Sequence, residues 1–123
     1  MRALDIGKVG EKAACKYLKR QGYKILTCNY QRAIGKVIGE IDIVARRGEM
    51  ISFVEVKTRR NEDFGLPCEF VTKSKQQKII RTAYMYIAEK KLHDCSFCFD
   101  VVEVLHDGRK IQTLRHIPNA FTL

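Results

Sequence analysis

The chain has 123 residues, 46% hydrophobic and 30% charged, an ordinary composition for one globular domain spanning residues 1–123 and too short for two cores. No stretch approaches the roughly 20 apolar residues needed to span a bilayer, and the opening MRALDIGKVGEK lacks the apolar run of a secretory signal, so a cytoplasmic, soluble protein with no membrane partner is expected. Lys and Arg number 23 against 14 acidic residues, a net charge of +9, and such a field on a small domain attracts polyanions, nucleic acid before anionic lipid because no basic amphipathic helix dominates.

In chain order, residues 7–21 read as a helix, with Val9, Ala13, Ala14, Tyr17 and Leu18 on one apolar arc, Glu11 at its edge and Gly22 as the stop. Residues 23–30 read as a strand, and 33–38 as a loop containing Gly35. Residues 38–45 (IGEIDIVA) and 50–58 (MISFVEVKT) are rich in β-branched side chains and flank the turn signal Arg46-Arg47-Gly48-Glu49; they form the clearest hairpin of the sequence. A polar loop over 58–67 follows, then a helix over 72–92 with Ile79, Ile80, Ala83, Tyr84 and Ile87 inward and Thr72 or Ser74 as N-cap. Residues 97–105 and 110–116 form a second hairpin around His106-Asp107-Gly108-Arg109. Helix, three strands, helix and two strands make an α/β domain, a mixed sheet with helices packed on it.

The two central strands are apolar on both faces, as in a covered sheet, yet Glu40 and Asp42 interrupt the first and Glu55 and Lys57 the second. Charges are seldom desolvated there unless they are paired or bind metal. Side chains alternate along a strand, and a two- or four-residue turn is expected to set Glu40 opposite Glu55 with Asp42 as the diagonal neighbour, all on one face. A slip of one residue would part Asp42 from Glu55. Clustered carboxylates repel, and a divalent cation removes that cost: Mg²⁺ takes one or two carboxylates and keeps several waters. Such an ion acidifies water and orients a phosphate, and Lys57 would steady the attacking water or neutralise the phosphate. The competing account is a salt-bridged cluster in which Lys57 and Arg59 or Arg60 balance Glu40, Asp42 and Glu55.

Arg59 and Arg60 leave the second strand, and Lys73, Lys75 and Lys78 open the second helix, where an N-terminus already favours anions. With Arg32, and with Lys36 on the loop before Ile38, they are the candidate nucleic-acid contacts. Five cysteines, Cys15, Cys28, Cys68, Cys95 and Cys98, include a single CxxC at 95–98 with no companion, so reduced thiols are expected rather than a zinc site or a disulfide framework. His93, His106 and His116 show no partner spacing, and Phe64 reads as a loop anchor.

Ile41-Asp42, twelve residues, then Glu55-Val56-Lys57 resembles the D…(E/Q)xK signature of the PD-(D/E)xK nuclease superfamily. Across almost the whole chain, Gly10-Glu11 with Ala14 and Leu18, Gly22-Tyr23, Asn29-Tyr30, GEID at 39–42, FVEVKTR at 53–59, Phe64-Gly65, Lys75, FDVV at 99–102 and IPNAF at 117–121 resemble the YraN family of bacterial endonuclease-like proteins. The resemblance implies a restriction-endonuclease-like core of order αβββαβ, here with a final strand, and a Mg²⁺- or Mn²⁺-dependent endonuclease acting on DNA. It makes Asp42 and Glu55 metal ligands, the Val56 carbonyl a third, Lys57 the catalytic lysine and Glu11 an accessory acid similar to that of archaeal Holliday-junction resolvases. Those enzymes pair two sites, which points to branched DNA and a homodimer. Glu40 and Gln76 are candidate accessory residues, although Gln76 leads to Ile80 and Gln77 to Arg81, so neither begins the QxxxY pattern of recombination-type exonucleases. The alternative is a non-catalytic nucleic-acid-binding module or a subunit of a larger nucleic-acid-processing assembly.

Overall fold

The computed structural model of the protein describes residues 5–60 and 71–122. Phe64, Cys68 and most of the expected 58–67 loop lie outside them. The chain runs α1 (Ile6–Arg20), β1 (Lys24–Ile34), β2 (Val37–Arg47), β3 (Met50–Arg60), α2 (Lys73–Lys90), β4 (Ser96–His106) and β5 (Ile111–Phe121). The strands lie in that same order in one sheet. β1, β2 and β3 are antiparallel neighbours, as are β4 and β5, and β3 runs parallel to β4, the crossover between them containing α2. The expected mixed sheet with two helices on it is therefore what the chain forms.

Adjacent residues of one strand define the two faces. Phe53 packs with Ile79, Ala83 and Tyr86 of α2, whereas Val54 packs with Ala14 and Leu18 of α1. The sheet is thus a wall between two cores, which is why β2, β3 and β4 are apolar on both sides. Among the described residues no helix is long and apolar enough to cross a membrane.

α1 starts where the Asp5 carboxylate accepts the Lys8 N–H, 3.3 Å away. It buries Gly10, Ala14 and Leu18, a narrower stripe than expected, leaving Val9, Ala13 and Tyr17 half-buried. Gly10 permits this: a Cβ there would run into Thr58 Oγ1 on β3, so the helix rests directly on the strand. At the head of α2, Thr72 rather than Ser74 is the cap, its hydroxyl accepting from Lys75 N at 3.1 Å.

Three boundaries differ from expectation. The loop between β1 and β2 shrinks to Gly35 and Lys36, because Ala33 pairs with Ile38 and Ile34 with Val37. Strand β3 continues to Arg60, so Arg59 and Arg60 are strand residues, not loop residues. Strand β5 runs on through Pro118 to Phe121; it is an edge strand, where proline's missing N–H leaves no ladder bond unmade. Its end is pinned by the buried Asp100, which meets His116 Nε2 at 2.8 Å and accepts the Asn119 N–H at 2.9 Å. His116 thus has a partner that its sequence spacing did not disclose.

The β2–β3 register also differs. The ladder pairs Arg47 with Met50 across a two-residue turn and continues to Ile43 with Val54. Continued one step, it sets Asp42, not Glu40, across from Glu55. The displacement is by two residues, so every side chain keeps its face.

Candidate functional site

The ladder between β2 and β3 stops at Ile43 and Val54, and the site begins there. Beyond that pair the Val56 N–H donates to Asp42 Oδ2 at 2.8 Å: a side chain takes the place of a ladder carbonyl, and the two strands part. The alternation of β2 breaks at the same point, since Ile43 joins the α1 core whereas Ile41, two residues away, joins the α2 core. On β1, Asn29 stands beside the break with a left-handed backbone, φ 52°, and the β1–β2 pairing skips from Cys28 and Ile43 to Tyr30 and Ile41. Irregularities of this kind re-aim side chains next to functional sites.

The opening is a hollow of about 330 Å³ whose lining includes Glu11, Asp42, Glu55, Lys57, Arg59 and Lys75. They reach it from four elements. Glu11 comes from α1, held down by the Gly10–Thr58 approach. Asp42 comes from the break in β2. Glu55 and Lys57 come from the half of β3 beyond the ladder, and Lys75 from the first turn of α2. The parallel crossover delivers the head of α2 above that half of β3, and Lys75 Nζ lies 2.5 Å from Glu55 Oε1. Lys57 Nζ is 3.7 Å from the same oxygen. Glu55 is thus a buried carboxylate, 5% exposed, bracketed by two ammonium groups.

Among the described residues Asp42 has no such ion-pair partner. Burial, and then the Glu55 carboxylate, push its carboxyl up to about 7, and the Val56 N–H only partly offsets them. Glu11 is raised in the same way, by burial and then by Glu40, although a hydrogen bond from Asn29 opposes the rise. Lys57 is lowered by burial and then by Lys75 alongside it. Burial alone would lower Lys75, but its hydrogen bonds to Glu55 and Lys57 and the nearby Glu55 and Asp42 charges together outweigh that and hold it above the ordinary value. Three acids converge here, and the cost of burial and of their mutual repulsion is largest at Asp42.

The remaining candidates lie around or away from the hollow. Glu40 is exposed at its rim, close enough to raise both Glu11 and Asp42. Gln76 turns back to donate to the Val71 carbonyl at 3.0 Å, and so secures the start of α2 rather than entering the hollow. Arg32 is turned toward α2, making paired hydrogen bonds of 2.7 and 2.8 Å to Glu89 with its guanidinium 4.2 Å above the Tyr30 ring. Arg60 donates to the Asp107 carbonyl at 3.2 Å in the β4–β5 turn. Lys73 and Lys78 are exposed on the first turns of α2, and Lys36 is exposed at the β1–β2 turn. Among the described residues no three His, Cys, Asp or Glu side chains form a ready-made metal cage, and the four described cysteines are free thiols. A two-carboxylate Mg²⁺ site needs no such cage, because water fills its other positions.

Sequence reasoning read Lys75 as a phosphate contact and missed its pairing with Glu55; no local spacing carries that signal, because the contact spans the crossover. It also passed over Lys8, Lys12, Lys16 and Lys19, whose helical spacing was open to inspection.

Comparison with known proteins bears on the whole chain. The model of "Uncharacterised protein family UPF0102" matches residues 10–104. A UPF0102 protein of Alkaliphilus metalliredigens is 44% identical over 117 residues, covering 95% of this chain and 97% of its own. Those of Trichlorobacter lovleyi and Clostridium acetobutylicum are each 47% identical, over 119 and 118 residues, covering 96% and 95% of this chain and 91% and 93% of theirs. The chain belongs to the UPF0102 family, the YraN-like family that its motifs resemble.

Proposed function

We propose that this member of the UPF0102 family is a divalent-metal-dependent endonuclease with a restriction-endonuclease-like core, acting on DNA. The observation that carries the reading is the convergence of Asp42, Glu55 and Lys57 in one hollow with the Asp42 carboxyl pushed up to about 7. A carboxyl raised by burial and by a second carboxylate beside it is a group that a bound cation would relieve, and a lysine already stands against its neighbour Glu55. The donor set suits Mg²⁺ or Mn²⁺, with Asp42 and Glu55 as side-chain ligands and the Val56 carbonyl as a third. When bound, the ion supplies Lewis-acid polarisation of the phosphate and a more acidic water.

The chain's own residues supply the rest. Lys57, lowered by burial and by Lys75, is placed to exchange a proton with the attacking water. Lys75, standing against Glu55 at the head of α2, would face the charge that builds on the phosphate. Glu11 serves as the accessory acid on the opposite wall, with Glu40 at the rim.

The test is calorimetric titration of Mg²⁺ and Mn²⁺ into the wild type and an Asp42→Ala, Glu55→Ala variant, followed by cleavage assays on branched, single-stranded and duplex DNA. Binding lost in the variant, with cleavage reduced by more than about a hundredfold, is the expected result. The two lysines on Glu55 favour one rival, a non-catalytic nucleic-acid-binding module in which the cluster is a closed salt-bridge network. That rival is correct if the wild type takes up neither ion, even with DNA present.

A further inference from the structure

A groove of about 720 Å³ runs from the carboxylates along α1, between that helix and β1. Glu11, Glu40 and Asp42 line its acidic head, and Lys8, Lys12, Lys16 and Lys19 follow α1 along its length. At about 100° per residue these four lysines fall within an arc of about 80°, and at 1.5 Å per residue they span roughly 16 Å. All four are exposed, and among the described residues none takes part in an ion pair. The opposite wall offers the exposed amides of Asn29 and Gln31 on β1. Its floor holds the Cys15 and Cys28 thiols, 3.8 Å apart.

Four like charges on adjacent helical turns repel one another and destabilise the helix that carries them. α1 carries them without a compensating carboxylate on that arc, although Glu11 and Asp5 are on the same helix or its cap. A polyanion is the ligand that removes this repulsion. A nucleic-acid strand presents a phosphate every few ångströms, so a track of roughly 16 Å meets several phosphates at once.

We infer that the α1 groove is the track for one nucleic-acid strand: Lys8, Lys12, Lys16 and Lys19 hold its phosphates, Asn29 and Gln31 face it from β1, and the groove leads the backbone to Asp42 and Glu55. The direction rests on the proposed nuclease reading; the binding does not. The lysines position the strand and take no part in bond cleavage. The acidic head takes a phosphate only when its own charge is neutralised, so the lysine end binds first and without metal.

The test is fluorescence anisotropy of a labelled single-stranded oligonucleotide, and of its duplex, against salt concentration with chelator present. The variant carries Lys8→Gln, Lys12→Gln, Lys16→Gln and Lys19→Gln, which keeps helix propensity. A control of equal net charge carries Lys24→Gln, Arg81→Gln, Lys90→Gln and Lys110→Gln. Circular dichroism checks that both are folded. Removing four phosphate contacts should lower the slope of log affinity against log salt by about 3, nearer 3.6 for a duplex, with the control close to wild type. Equal losses in both variants would reduce the effect to overall charge and overturn the track. Cleavage with Mg²⁺ is scored separately. A lost slope with no cleavage by wild type leaves the track and removes the nuclease; cleavage with an unchanged slope does the reverse.

Discussion

The raised Asp42 carboxyl should cost the fold stability in a pH window set by its own titration. Its carboxyl is raised from an ordinary 3.8 to about 7. The folded state therefore binds the proton more tightly than the unfolded chain, and the stability this brings is complete below about 4 and lost as pH rises through about 7. Asp42→Asn stays neutral throughout, and its carbonyl oxygen still accepts the Val56 N–H. In urea denaturation the variant should match wild type near pH 4 and exceed it at pH 8 by roughly 2–4 kcal/mol. A difference that does not change with pH would show that Asp42 is not strained by its own charge. A stability gain from neutralising a buried charge is the usual mark of a site shaped for something other than folding. The oddity of Asp42, Glu55 and Lys57 was legible in the sequence because charges interrupt strands that are otherwise apolar. The second lysine on Glu55 was not, since Lys75 meets it only after the chain has crossed the sheet.

At the scale of elements, the contact of α1 with β3 fixes where Glu11 stands. The helix sits so low because Gly10 has no side chain to strike Thr58. Gly10→Ala should destabilise the protein by about 1–3 kcal/mol through overpacking, despite alanine's helix preference of about 1 kcal/mol. With Thr58→Ala in the background the obstructing hydroxyl is gone, and the same change should become neutral or stabilising. That reversal is checked by thermal melts of the four variants; additive losses would place the strain elsewhere. The hairpin carrying Asp42 and Glu55 was evident from its β-branched residues, but the length of its turn was not. Arg46 and Arg47 are polar enough to read as turn, whereas in the fold they pair with Ile51 and Met50. The displacement by two left the faces intact, which is why the candidate carboxylates survived a wrong register. Likewise Ala33, Ile34, Val37 and Ile38 read as a loop only because Gly35 lies among them; their mutual pairing outweighs that signal.

Over the whole molecule, the sheet separates two cores and one end of it opens. Phe53 anchors the α2 side, with the Phe97, Phe99 and Tyr86 rings within 6.1 Å of its own; Val54 and Val102 close the α1 side. Binary patterning and one crossover made that architecture readable from the sequence. The break in β2 at Asp42 was not readable, because no glycine or proline marks it; it is a product of packing, with Ile41 drawn to one core and Ile43 to the other.

The adjacent thiols in the groove floor give the molecule a chemistry that depends on the redox state around it. Burial, and then Cys28 beside it, push the Cys15 thiol up to about 11, so the exposed Cys28 is the first to react with an oxidant. If an azodicarboxamide took two electrons and two protons from the pair and left as the hydrazine, a covalent rung would join α1 to β1. The loop so closed spans 13 positions and would stabilise the fold by about 3 kcal/mol. Diamide treatment should therefore raise the thermal midpoint and remove two titratable thiols, and Cys28→Ser should abolish both effects. The same rung would fix the width of the lysine-lined track, so that oxidation sets how wide a strand the groove admits.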